Sequence, residues 1–226
     1  SENLATSWRV CTKSSVRQQP KSKMRHASHE QYSQNWGKLR TRKYVEALGP
    51  FVDIWEIGNE INGEWLGDRS DVIAKITGSF QVIKSMGRTA ALTLYFNESC
   101  FENPDNEIFH WAQSYIPAEL KQNLDYVWIS YYQDDCPGPT PNWNQVFERL
   151  GQIFPQAKLG FGEVGTTHPD TKEKLISDFY SLSQPGAISN QRFIGGYFYW
   201  YFFSDMVPMT KPLWTHFNTV LKNLPD

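Results

Sequence analysis

From residue 30 onward the apolar side chains recur in two alternating rhythms. Helical spacing joins Tyr32, Trp36, Leu39, Tyr44, Val45 and Leu48, and it stops at Gly49-Pro50, where a helix cannot continue. A short apolar run at 51–57 follows and reads as a buried strand. Ser70 then opens a helix carrying Val72, Ile73, Ile76, Phe80, Ile83 and Met86, which Gly87 closes. Further strand-like runs stand at 90–96, 126–132, 158–161 and 193–203. Helical patterns separate or follow them at 107–120, 140–154 (opened by Thr140-Pro141), 172–182 and 213–224. Trp36, Trp111 and Trp128 fall on helix or strand faces and read as core. The pattern is one helix followed by five βα units at intervals of about 35 residues. Strands alternating with helices imply parallel strands joined by right-handed crossovers. Both an open doubly wound sheet and a (β/α) barrel satisfy this, so the strand ends must decide.

Composition sharpens the division of the chain. Before about residue 30 the sequence is polar and Ser/Gln/Lys-rich with little periodicity, which predicts a basic lead-in over 1–29 and a (β/α) domain over 30–226. Residues 1–43 carry 10 Lys/Arg against 2 acids, whereas the remainder carries 12 against 22. The whole chain has a formal charge of −2, which argues against a protein built as a whole for nucleic acid. The longest strongly apolar run, 197–203, is far too short to span a bilayer. Aromatic residues make up 15% of the chain, an excess that suits stacking of flat ligands as well as packing. Cys100 and Cys136 each follow a strand-like run, so they are either bridged across neighbouring loops or free thiols; Cys11 is odd in any case. Asn97-Glu98-Ser99 matches a glycosylation sequon, a triplet that also arises by chance.

In a parallel α/β sheet, chemistry collects where strands finish and loops begin. Trp55-Glu56-Ile57-Gly58-Asn59-Glu60 ends one strand, and Gly160-Phe161-Gly162-Glu163-Val164-Gly165 ends another. Each places a carboxylate at the rim. Two such groups, one kept protonated and one kept ionised, are what hydrolysis of a glycosidic bond requires; about 5–5.5 Å between them suits retention of configuration. Glu56 alternates away from the rim and reads as structural.

These motifs resemble the retaining glycoside hydrolases whose (β/α)8 barrel carries catalytic glutamates on strands four and seven. The resemblance covers residues 30–226 and implies Glu60 as acid/base, with Asn59 bonding the sugar 2-hydroxyl. It implies Glu163 as nucleophile, and it makes Tyr132, in Ile129-Ser130-Tyr131-Tyr132, the phenol that holds the nucleophile ionised. Trp200, in Gly196-Tyr197-Phe198-Tyr199-Trp200, matches the aromatic floor beneath the sugar; apart from the resemblance, Trp65 in the loop beyond Glu60 reads either as a stacking platform or as simple loop packing. The implied substrate is a β-linked oligosaccharide or polysaccharide, with no metal, no organic cofactor, no nucleic acid and no membrane involved.

The front of the chain departs from that pattern. Three βα units of about 30 residues each should precede strand four, and only 50 residues stand before Phe51. The expected fold is therefore a TIM-type barrel that is either truncated or incomplete at its N-terminal side, with self-association as one way to cover the open edge. Two other readings compete: a non-catalytic carbohydrate-binding or remnant barrel, and an NAD-dependent oxidoreductase, because residues 160–165 also fit G-x-G-x-x-G. The fingerprint needs a helix starting inside the motif, whereas Thr166-Thr167-His168-Pro169-Asp170 intervenes here. His26 and His29 read as surface histidines rather than metal ligands, and Asp134-Asp135 as a solvated loop.

Overall fold

The computed structural model describes residues 9–11, 29–182 and 186–224. Five strands, β1 (Arg9–Cys11), β2 (Ile54–Gly58), β3 (Thr89–Phe96), β4 (Tyr126–Tyr132) and β5 (Lys158–Gly165), form one sheet in chain order. Every neighbouring pair is parallel. The crossovers are α1 (His29–Leu48), α2 (Arg69–Ser85), the pair α3 (Ile108–Tyr115) and α4 (Ala118–Asn123), and α5 (Trp143–Ile153). Helix α6 (Lys172–Ser181) follows β5, and α7 (Phe202–Met206) and α8 (Pro212–Lys222) end the described chain. Among the described residues the result is an incomplete (β/α) barrel.

Strand alternation assigns the two faces. Ala90, Leu92, Leu94 and Phe96 of β3 and Val127, Ile129 and Tyr131 of β4 join one buried cluster with the helices. The intervening Thr93, Tyr95, Ser130 and Tyr132 occupy the opposite, inner face, which is where the polar chemistry lies. On the helix side Trp143 of α5 forms the hub, meeting Phe161 at 4.8 Å and Tyr131 at 4.9 Å between ring centroids, both edge-to-face.

Several sequence expectations are corrected. Arg9–Cys11, inside the polar lead-in, pairs with Ile54–Glu56 as an edge strand, so α1 is a crossover rather than a solitary leading helix; the rest of 1–28, with His26, lies outside the described residues. Helix 107–120 is broken into α3 and α4 because Pro117 drives Ile116 into extended backbone (φ −70°, ψ 126°). Asp68, not Ser70, caps α2: its carboxylate accepts from the Ser70 backbone N–H at 2.8 Å. Residues 193–203 do not form a regular strand. They run beside β5 through two parallel bridges, Leu159 to Phe193 and Val164 to Tyr199, and Gly195 and Gly196 at φ 75° and 79° interrupt the ladder between them.

Trp111 and Trp128 are buried, but Trp36 is 45% exposed. Helix α1 instead buries the stripe Ser33, Gly37, Thr41 and Val45. A Cβ on Gly37 would stand 2.4 Å from the Lys75 carbonyl oxygen and one on Gly78 2.3 Å from that of Gln34, so α1 and α2 touch backbone to backbone. Thr41 donates to Ser79 across the same contact at 2.9 Å. Only small residues permit that approach, which turns the aromatic stripe outward.

Candidate active site

Both glutamate-bearing strands carry a β-bulge just before the glutamate. In β5 the register steps from Ile129 opposite Phe161 to Ser130 opposite Glu163, making Gly162 the extra residue. Phe161 packs on the helix side, and simple alternation would send Glu163 there too; the bulge turns it to the inner face instead. A Cβ on Gly162 would come within 3.1 Å of both Thr93 and Trp128, so the bulge requires glycine or a shift of those neighbours. In β2 the register steps between Glu56 and Gly58, and Gly58 faces Ile76 and Leu92. The chain then turns at Glu60, a non-glycine residue in the left-handed region at φ 51°. Such a conformation costs on the order of 1–3 kcal/mol and persists only where its surroundings impose it.

Those surroundings are visible. Ile61 donates its N–H to the Thr93 carbonyl, and Gly63 to that of Glu60. Asn62 is fully buried; its amide donates to the carbonyls of Tyr95 (2.8 Å) and Asn106 (2.9 Å) and accepts from the Tyr95 N–H at 2.7 Å. The loop that carries Glu60 and Trp65 is thereby fixed to the end of β3. Sequence reasoning passed over Asn62, a polar side chain that satisfies three backbone groups where the sheet ends.

Strand β4 supplies one hydroxyl to each glutamate. Ser130 Oγ donates to Glu60 Oε1 at 2.5 Å, and Tyr132 OH donates to Glu163 Oε2 at 2.8 Å. Ser130 is also the residue in register opposite Glu163, which brings the two carboxyls to one patch of the inner face. Glu60 is raised from 4.5 to about 7, mainly by burial; the Ser130 bond opposes this, and the charges of Glu163, Glu56 and Asp135 add to it. Burial, followed by the neighbouring Glu163 charge and the bond to it, pushes the Tyr132 phenol well up, so it remains a donor. Glu56 is buried rather than turned away: it accepts from Thr93 on the inner face and contributes to the field at Glu60.

The remaining predicted residues lie around this pair. Asn59 Oδ1 is buried with no hydrogen-bond partner among the described residues. Trp65 is 59% exposed, its ring edge-on to Tyr95 at 5.2 Å, and Tyr95 in turn meets Phe101 at 5.8 Å. Trp200 is 47% exposed, and its backbone N–H donates to the Val164 carbonyl, one residue beyond Glu163. Trp65 and Trp200 thus stand on different flanks, one over β2 and β3 and the other beyond β5. Tyr95 and Ser130 were missed by sequence reasoning, although each is a polar residue at an alternating position in an otherwise apolar strand.

The rim is tied together by its loops. Cys100 and Cys136 form a disulfide between the loops after β3 and β4. Asp134 and Asp135 are not a free solvated pair. Asp135 accepts from Tyr95 OH at 2.7 Å, while Asp134 accepts from the Thr166 hydroxyl (2.9 Å) and the Thr167 N–H (2.6 Å). Burial pushes Asp134 up, but the bonds from Thr167 and Thr166 outweigh it and hold its carboxyl below the usual range. Asn97 of the sequon is buried. All six residues of the G-x-G-x-x-G match lie within β5, and a Cβ on Gly160 would stand 2.1 Å from the Gly195 carbonyl oxygen. Those glycines serve strand packing, not a phosphate loop. Among the described residues no group of three or more His, Cys, Asp or Glu side chains could hold a metal ion, and no helix is long and apolar enough to cross a membrane.

No protein-family model matches the sequence, and no curated protein matches it. Among solved structures, a β-glucosidase from Thermotoga maritima in complex with glucoimidazole is similar at 11% identity and a TM-score of 0.59, over 87% of this chain and 70% of that one. The GH1 β-glucosidase from Exiguobacterium antarcticum B7 is similar at 13% identity and a TM-score of 0.50, over 75% of this chain and 59% of that one. The Ignisphaera aggregans GH53 catalytic domain follows at 15% identity and a TM-score of 0.49, over 75% of this chain and 53% of that one. The chain therefore spans between about half and about seven-tenths of the length of these neighbours. At such identities the likeness is one of fold. The chain shares the fold of these neighbours as an incomplete (β/α) barrel.

Proposed function

We propose that this chain hydrolyses a β-linked oligosaccharide or polysaccharide with retention of configuration. Glu163 attacks the anomeric carbon as a carboxylate while Glu60 protonates the leaving oxygen. Glu60 then takes a proton from the water that releases the glycosyl-enzyme intermediate. The observation that carries the reading is the division of labour around β4: one glutamate lifted to about 7, the other held by a phenol at 2.8 Å. A group near 7 is protonated for a useful fraction of time at neutral pH, as a general acid must be. Tyr132 fixes the orientation of the Glu163 carboxyl through its hydrogen bond to Oε2, as an attacking group needs. Asn59 Oδ1, buried without a partner among the described residues, is an acceptor for a sugar hydroxyl. The exposed rings of Trp65 and Trp200 offer stacking surfaces. The assignment to retention rests on the resemblance of the two glutamate motifs.

The test is turnover of a panel of aryl β-glycosides and soluble polysaccharides. Glu163→Ala and Glu60→Ala are each expected to lower it by roughly 10²–10⁴-fold or more. Azide should restore activity in both, giving the β-glycosyl azide with Glu60→Ala and the α-anomer with Glu163→Ala. Full turnover in either variant removes the reading. The competing reading, a non-catalytic carbohydrate-binding barrel, draws on the partial span relative to the neighbours; binding of a polysaccharide without release of reducing sugar would favour it.

A further inference from the structure

We propose that Ser130 is a positioning residue for Glu60, fixing one carboxyl oxygen as an acceptor so that the transferable proton resides on the other. This rests on the functional reading above for its catalytic meaning, but its physical content is independent of turnover. Ser130 is fully buried, and its hydroxyl lies 2.5 Å from Glu60 Oε1. It belongs to β4, whereas Glu60 follows β2, so the bond reaches across β3 and joins the wall that holds Glu163 to the turn that holds Glu60. An oxygen that accepts from Ser130 is the unprotonated one; the proton of the acid form therefore sits on Oε2.

The bond also sets how readily that proton leaves. Glu60 is faced by Glu163 from β5, Glu56 from β2, Asp135 from the loop after β4, and the phenols of Tyr95 from β3 and Tyr132 from β4. Burial and the three carboxylates all favour the neutral acid. Ser130 is the hydrogen-bond donor that favours the ionised form, and without it the acid would hold its proton too tightly to release it near neutrality. Spacing on the strand completes the device: Ser130 and Tyr132 project from the same face two residues apart, each serving a different glutamate.

The experiment is titration of the Glu60 carboxyl by ¹³C NMR on the full chain without substrate, with the resonance assigned by its loss in Glu60→Gln. Removing the donor in Ser130→Ala should move the midpoint up by roughly one pH unit, tenfold in the protonation constant. Ser130→Cys, close in size but a weak donor, should behave like Ser130→Ala, whereas Ser130→Thr, which keeps the hydroxyl, should restore the original midpoint. The alkaline limb of kcat/KM should move by the same amount in each variant. An unchanged or lowered midpoint in Ser130→Ala, or a Ser130→Cys titration like that of the original chain, overturns the proposal by reducing Ser130 to a packing residue. If the midpoints shift as expected while Glu60→Ala keeps full turnover, the functional reading falls and the hydrogen-bond linkage stands.

Discussion

Burying Glu60 among Glu163, Glu56 and Asp135 lifts its pKa from 4.5 to about 7, so the native chain holds a proton there that the unfolded chain has already released. The native state binds more protons than the unfolded state across that window, so its stability falls as pH rises from about 4.5 to about 7. Above the window the cost is fully present, on the order of 3 kcal/mol. Glu60→Gln keeps the shape and removes the charge. It should therefore melt near the original chain at pH 4.5 and clearly above it at pH 8, by differential scanning calorimetry. Equal melting temperatures at both pH values would mean that Glu60 is not buried as described. Much of this site is legible in the sequence, because a carboxylate just past an apolar run can be seen in a string of letters. The side on which each carboxylate emerges is not. Strict alternation from Phe161 sends Glu163 into the helix layer, and the bulge at Gly162 that reverses this depends on contacts with Thr93 and Trp128 from two other strands.

Between elements, the contact of α1 with α2 shows where hydrophobic periodicity misleads. The stripe through Tyr32, Trp36 and Leu39 has the right spacing for a buried face, yet all three are exposed, and Ser33, Gly37 and Thr41 are buried. Close backbone approach selects the smallest side chains, a criterion that hydrophobicity does not rank. Gly37→Ala is expected to destabilise the chain by about 1–3 kcal/mol, because the new methyl meets the Lys75 carbonyl, even though alanine is the better helix former. Trp36→Ser should change stability by about 0.5 kcal/mol or less. Urea unfolding of the two variants checks the pair, and the opposite ranking would place the aromatic stripe inside. Other boundaries turned on local chemistry that the sequence does display, such as Pro117 between α3 and α4 and Asp68 ahead of α2. Gly195 and Gly196 gave warning that the run 193–203 would not form a regular ladder.

For the whole molecule, strand–helix alternation predicts parallel strands joined by crossovers but leaves their order open, and the observed chain order is that of a barrel rather than a doubly wound sheet. Strand β1 escaped because three residues in a polar segment carry no period; it is visible only through pairing with β2. The barrel of the described residues is incomplete, yet the rim around the two glutamates is bound together by the Cys100–Cys136 bridge and the bonds of Asp134 and Asp135. Those ties join the loops after β3, β4 and β5, the same strand ends that carry Tyr95, Tyr132 and Glu163. They hold the strand ends around the carboxyl pair, and the proposal at stake is that the pair performs double displacement. The measurement that tests it most directly is intact-mass and peptide-mapping analysis after exposure to a panel of 2,4-dinitrophenyl 2-deoxy-2-fluoro-β-glycosides (glucoside, galactoside, mannoside and xyloside). The account predicts one covalent glycosyl group per chain, carried on Glu163 and lost in Glu163→Ala. No adduct from any member of the panel, or an adduct on another residue that persists in Glu163→Ala, would contradict it.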